Sequence, residues 1–124
     1  MVRLIGGAIA GMIVWIVVVT ILNLGLRNGW PAYAAVERAM VFTVPMMAAR
    51  LAESAIASLA GGYAAARIAR GGPAALLSGV ALLLLFIPVH YALWPKFPIW
   101  YHLAFLASLP LLGWAGGRIV ARRR

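Results

Sequence analysis

The chain has no cysteine and no aspartate, and its only acidic residues among 124 positions are Glu37 and Glu53. Without cysteine there are no disulfides, no thiolate metal ligands and no sulfur nucleophile. Without aspartate there is no Ser–His–Asp set, so Ser54, Ser58, Ser78 and Ser108 read as small packing residues at helical spacing. Charged residues make up 10% of the chain against 65% hydrophobic, and the mean hydropathy is +1.00. Soluble domains hold roughly 25% charged and 45–50% apolar residues, so water is not the main solvent of this chain.

The charge that is present is basic, with eleven Lys and Arg and a formal net charge of +9. Such an excess often marks nucleic-acid binding. Here, however, the arginines gather at the ends of apolar runs, as membrane anchors do, rather than along a groove interleaved with aromatics. The expected partner is therefore the lipid bilayer, with no nucleic acid.

A membrane helix needs about 20 mostly apolar residues. Four runs qualify, at about 4–24, 46–66, 74–93 and 99–120, separated by the breakers Arg27-Asn28-Gly29-Trp30-Pro31, Gly71-Gly72-Pro73 and Trp94-Pro95. The first run exceeds the roughly 7–15 apolar residues of a signal peptide and is read as a retained helix. Residues 31–45 leave two readings open: an interfacial helix opened by Pro31, or an early start of the second span with a kink at Pro45. Arg3, Arg67, Arg70, Arg118, Arg122, Arg123 and Arg124 fall on one side of the spans, against Arg27, Arg38 and Lys96 on the other, which places both termini in the cytoplasm. The opposite face carries Trp30, Tyr33, Trp94, Phe97, Trp100 and Tyr101, suited to an aromatic belt. The expected fold is all-α. A single membrane domain over 1–124 forms a polytopic four-helix transmembrane bundle, built as two helical hairpins.

The two halves echo each other. Gly61-Gly62-Tyr63-Ala64-Ala65-Ala66-Arg67 closes the second run and Gly113-Trp114-Ala115-Gly116-Gly117-Arg118 the fourth. A repeat about the membrane normal and convergence on membrane-end chemistry both explain this. Helices in lipid associate through small residues that let backbones approach. Gly7 with Gly11, Gly113 with Gly117, and Gly61 with Ser54, Ala57 and Ser58 are the candidate packing faces, and one of them is expected to serve a homodimer or a partner membrane protein. The Leu82–Leu85 run suits lipid.

The Gly-rich second run ending in Ala-Ala-Arg, together with Pro98-Ile99-Trp100 and Pro110 through Gly116-Gly117-Arg118, resembles small four-helix bacterial membrane proteins of uncharacterised function. The resemblance covers the second half best. It implies a multi-pass protein of the bacterial inner (cytoplasmic) membrane and supplies no activity or site residues. Small multidrug exporters differ in using an acidic residue in the first helix. Fluoride channels differ in their paired phenylalanines and threonine-serine run.

Counted from the cytoplasmic ends at 1.5 Å per residue, Thr20, Arg50, Glu53, His90 and His102 all fall roughly 21–26 Å deep, one polar layer in the outer leaflet. Arg50 and Glu53 lie three apart on one helical face and read either as a mutually neutralising pair or as a binding site. His90 and His102 flank the Trp94–Pro98 turn, and bis-histidine haem ligation is conceivable there. With no second such pair, no cofactor and no metal site are expected. The leading functional expectation is a non-enzymatic membrane protein whose polar layer binds a small molecule, ion or lipid head group or forms part of a transport path. Its competitor is a structural or accessory subunit that docks on partner helices through its glycine faces. Catalysis ranks last.

Overall fold

Proline and the lack of a backbone donor it brings decide where most helices begin. The computed structural model describes residues 1–122 and contains α1 (Val2–Gly29), α2 (Pro31–Val36), α3 (Val44–Ala69), α4 (Pro73–Ala92) and α5 (Ile99–Arg122). A short 3-10 turn at Trp94–Lys96 joins the last two. Arg123 and Arg124, counted above among the cytoplasmic anchors, lie outside the described residues. α2, α3 and α4 each carry proline in the first turn, where a missing N–H leaves no bond unmade. Thr43 caps α3, its hydroxyl oxygen accepting the N–H of Met46 at 3.4 Å. At the other end Arg70 adopts the left-handed conformation, φ 59°, and its N–H returns to the carbonyl of Ala66.

Two boundaries differ from expectation. α1 continues to Gly29 instead of stopping near Leu24, because nothing before Pro31 removes a helical donor. Trp30 is then forced out of helical geometry by the proline that follows, at φ −135° and ψ 89°. Of the two readings of residues 31–45, the helix opened by Pro31 is present, though short, and the early second span kinked at Pro45 is not. α2 ends at Val36, the chain turns through a left-handed Met40, φ 57°, and Pro45 starts α3 rather than kinking it.

α1, α4 and α5 are long and apolar enough to cross a membrane, which marks the chain as a membrane protein. α3 has the length, at 26 residues, but not the hydropathy, because Arg50 and Glu53 interrupt a sequence of alanine, glycine and serine. α3 packs against α1, α4 and α5, while α1 and α5 sit apart at opposite corners. Its small residues are what let it take this place. The core between the helices is Trp15, Ala57, Leu82, Phe105 and Leu109, and the indole N–H of Trp15 donates to the Ser58 hydroxyl at 3.1 Å. Outward, α1 exposes Ile5, Ile9, Ile13 and Ile16, and α4 exposes Leu84 and Leu85, an apolar surface suited to lipid.

Glycine carries the closest helix contacts. A Cβ on Gly11 would stand 2.7 Å from the carbonyl oxygen of Gly61, and one on Gly61 the same distance from that of Gly11. Gly7 backs onto the Ala65 carbonyl in the same α1–α3 seam. Between α3 and α5 a Cβ on Gly62 would overlap the backbone of Gly113, and one on Gly116 the carbonyl of Leu59. Gly79 against Leu109, and Gly117 against Ala75, seal α4 to α5. These glycines are all spent inside the chain.

Gly62 therefore makes the sharpest test of this packing. Gly62→Ala must push α3 off α5 and should cost about 1–3 kcal/mol. Gly6→Ala, where a Cβ meets nothing within 4 Å, should be neutral or stabilising by up to about 0.5–1 kcal/mol. Thermal unfolding of the two variants in detergent measures both, and equal stability of Gly62→Ala and the parent chain would contradict the contact.

Candidate functional site

At the α2 end polar side chains line an open space between the helices. Trp15 and Phe86 hold α1 to α4 with ring centroids 5.1 Å apart. Beyond that contact lies a cleft of about 480 Å³. Trp15, Phe86 and Phe105 form its apolar end, Thr20, Asn23 and Arg27 line it from α1, Arg50 and Glu53 from α3, and Glu37 and Met40 from the segment after α2. Its volume falls within the roughly 300–1,000 Å³ of small-molecule sites.

One hydrogen-bonded chain runs along this cleft. Arg27 Nε meets Glu37 Oε1 at 2.6 Å, and Asn23 Nδ2 donates to Glu37 Oε2 at 2.7 Å. Tyr33 then donates its hydroxyl to Asn23 Oδ1 at 2.6 Å and accepts from Arg50 Nη1 at 2.8 Å. Arg50 Nε donates onward to the Tyr101 hydroxyl at 3.2 Å, and its guanidinium lies 4.7 Å from the centre of the Phe42 ring. The hydrogen bond from Arg27 holds the Glu37 carboxyl below the usual carboxylate range, against the opposite pull of its partial burial, so Glu37 is charged at neutral pH.

Arg50 and Glu53 share a face, yet they form no ion pair. Arg50 has taken the two tyrosine hydroxyls instead. Glu53, one turn further along α3, is only 6% exposed, and its Oε1 is buried without any hydrogen-bond partner. The neighbouring Ser54 hydroxyl oxygen is buried and unpartnered as well. Thr20 lines the cleft but donates its hydroxyl to the Ile16 carbonyl of its own helix at 2.7 Å.

The histidines form a second, separate cluster. His90 and His102 meet directly, Nδ1 to Nδ1 at 2.7 Å, and His102 Nε2 faces the Trp94 carbonyl at 3.3 Å. The carbonyl can only accept, so His102 carries its proton on Nε2 and accepts at Nδ1 from the Nδ1–H of His90. Trp94 stacks on His102, with centroids 4.5 Å apart, and Phe105 packs on His90 at 4.7 Å. The two Nδ1 atoms are hydrogen-bonded directly to each other, and among the described residues no group of three or more His, Cys, Asp or Glu side chains is assembled. Neither histidine lines the cleft. The expected single layer is thus two clusters bridged by Tyr101, which binds Arg50 through its hydroxyl and stacks on His90 at 6.2 Å.

The aromatic residues assigned to a belt divide the same way. Tyr33, Phe97 and Tyr101 are buried and work in the interior, whereas Trp94 and Trp100 are half exposed. Sequence reasoning missed Asn23, Arg27, Tyr33, Glu37 and Tyr101 as parts of the site. One signal was available, because Thr20, Asn23 and Arg27 follow at three- and four-residue spacing and so share one face of α1. The glycines named as packing residues, Gly7, Gly11, Gly61, Gly113 and Gly117, all face neighbouring helices of this same chain. No protein-family model matches the chain, no curated protein matches it significantly, and no solved structure shares significant similarity with it.

Proposed function

We propose that this chain is a non-enzymatic bacterial inner-membrane protein whose four long helices all span the bilayer, with both termini cytoplasmic, and whose cleft binds the polar head of a small amphiphile. The observation that carries the reading is Glu53: a buried carboxylate with an unpartnered oxygen beside a 480 Å³ cleft, in a setting where intramembrane charges are costly and usually mark function. α3 counts as a span because it packs against α1, α4 and α5, with glycine contacts to α1 and α5 along its second half, so its polar composition is an interior composition. The positive-inside distribution of Lys and Arg puts the cleft on the extracytoplasmic side. Docking on other helices through a glycine face has less support, since those glycines are already occupied.

Reporter fusions after residues 30, 72 and 96 should read outside, inside and outside, and an extracytoplasmic reading at Gly72 would overturn the topology. The binding itself is read by native mass spectrometry of protein released in mild detergent. A small-molecule adduct should persist on the parent chain and on Leu111→Trp, which alters an exposed apolar position, and be lost from Val19→Trp, which fills the cleft. No adduct on the parent chain, or an equal adduct on Val19→Trp, would contradict the proposal.

A further inference from the structure

A guanidinium and a carboxyl group line the cleft without pairing with each other. Arg50 uses Nε and Nη1 on tyrosine hydroxyls, and its Nη2 donates to nothing among the described residues. Glu53 lines the cleft as well, and its buried Oε1 has no donor among the described residues. Their neighbours do not supply the missing partners, because Glu37 is already bound by Arg27 and Asn23. An anionic ligand would meet Arg50 but leave Glu53 unpartnered and repelled. A cationic ligand would meet Glu53 and be repelled by Arg50. A neutral polar head would supply hydrogen bonds but no charge. Only a molecule carrying both signs satisfies the two side chains at once, and both sit on one face of α3, three residues apart.

We infer that the cleft selects a zwitterion bearing an anionic oxo group for Arg50 and a primary ammonium for Glu53, the pattern of a phosphoethanolamine head. The inference rests on the binding reading above and narrows its ligand. Oxo anions suit a guanidinium with free donors, which offers directed hydrogen bonds in a plane. A primary rather than quaternary ammonium suits Glu53 where its side chain lines the cleft, because a carboxylate so buried gains most from an N–H to bond and a trimethylated nitrogen has none. The aromatic end of the cleft, Trp15, Phe86 and Phe105, accepts the carbon skeleton next to the head.

The test uses the chain in maltoside micelles with Trp30, Trp94, Trp100 and Trp114 replaced by Phe, so that Trp15 in the cleft is the sole indole. Lysophosphatidylethanolamine, lysophosphatidylcholine and lysophosphatidylglycerol, matched in acyl chain, are titrated against Trp15 fluorescence, and thermal shifts of the unsubstituted chain give an independent ranking. The ethanolamine lipid should bind roughly tenfold more tightly than the other two, as one charge-assisted hydrogen bond provides. Glu53→Gln should abolish its advantage over the glycerol lipid. Soluble glycerophosphoethanolamine, titrated in parallel, separates the sources: affinity equal to that of the lysolipid assigns a free small molecule, and much weaker affinity assigns a lipid head group. Equal binding of all three lysolipids would overturn the zwitterion and leave the amphiphile cleft standing. No binding of any of them would overturn both.

Discussion

Arg50 is a cation placed inside a helical bundle and held by hydroxyl groups instead of a carboxylate. Much of the α2 end depends on that choice. Tyr33 can reach the guanidinium only because α2 folds back over the helix ends, and the same hydroxyl fastens α2 to α1 through Asn23. Tyr101 reaches it from α5 and carries the contact on to His90. A buried charge without partners costs several kcal/mol, so the guanidinium strongly favours the arrangement that supplies its acceptors. What the arrangement leaves over is Glu53, and with it an uncompensated carboxyl beside an open volume.

The other end of the bundle follows a different rule. There, glycine and alanine bring the backbone of α3 into direct contact with α1 and with α5. The cleft beside Arg50 and Glu53 lies beyond the Trp15–Phe86 contact, where large aromatic side chains replace glycine as spacers. The split between the ends also changes the meaning of the glycine pairs. Small-residue spacing in a membrane helix signals that a helix lies close by, and here the neighbour is another segment of the same chain. The glycines expected to serve a homodimer are the ones that contact neighbouring helices of the same chain.

Much of the architecture was legible because it follows from local chemistry. Proline at helix starts, apolar runs of membrane length and clustered arginines are readable one segment at a time, and the helices at about 74–93 and 99–120 fall close to α4 and α5. The direct meeting of His90 and His102 was also readable, since a tight turn between two helices leaves their facing positions close. The partner of Arg50 was not. Arg50 and Glu53 three residues apart satisfy the rule for a helical pair, but that rule ignores Tyr33 and Tyr101, which lie 17 and 51 residues away in sequence. The fold of residues 37–43 was equally hidden. It is held by the Arg27–Glu37 pair and by Lys96 donating to the Ala39 carbonyl at 3.0 Å, both tertiary contacts.

The central claim is that Arg50 belongs to the tyrosines and Glu53 stands alone, and a pair of double-mutant cycles measures it directly. Unfolding free energies in detergent for Arg50→Gln combined with Tyr33→Phe should give a coupling of about 1.5–3 kcal/mol, that of a hydrogen bond to a charged group. The cycle of Arg50→Gln with Glu53→Gln should give a clearly smaller coupling, and Glu53→Gln alone should not destabilise the protein. A stronger coupling of Arg50 to Glu53 than to Tyr33 would contradict the account, because the carboxylate would then be the partner of the arginine.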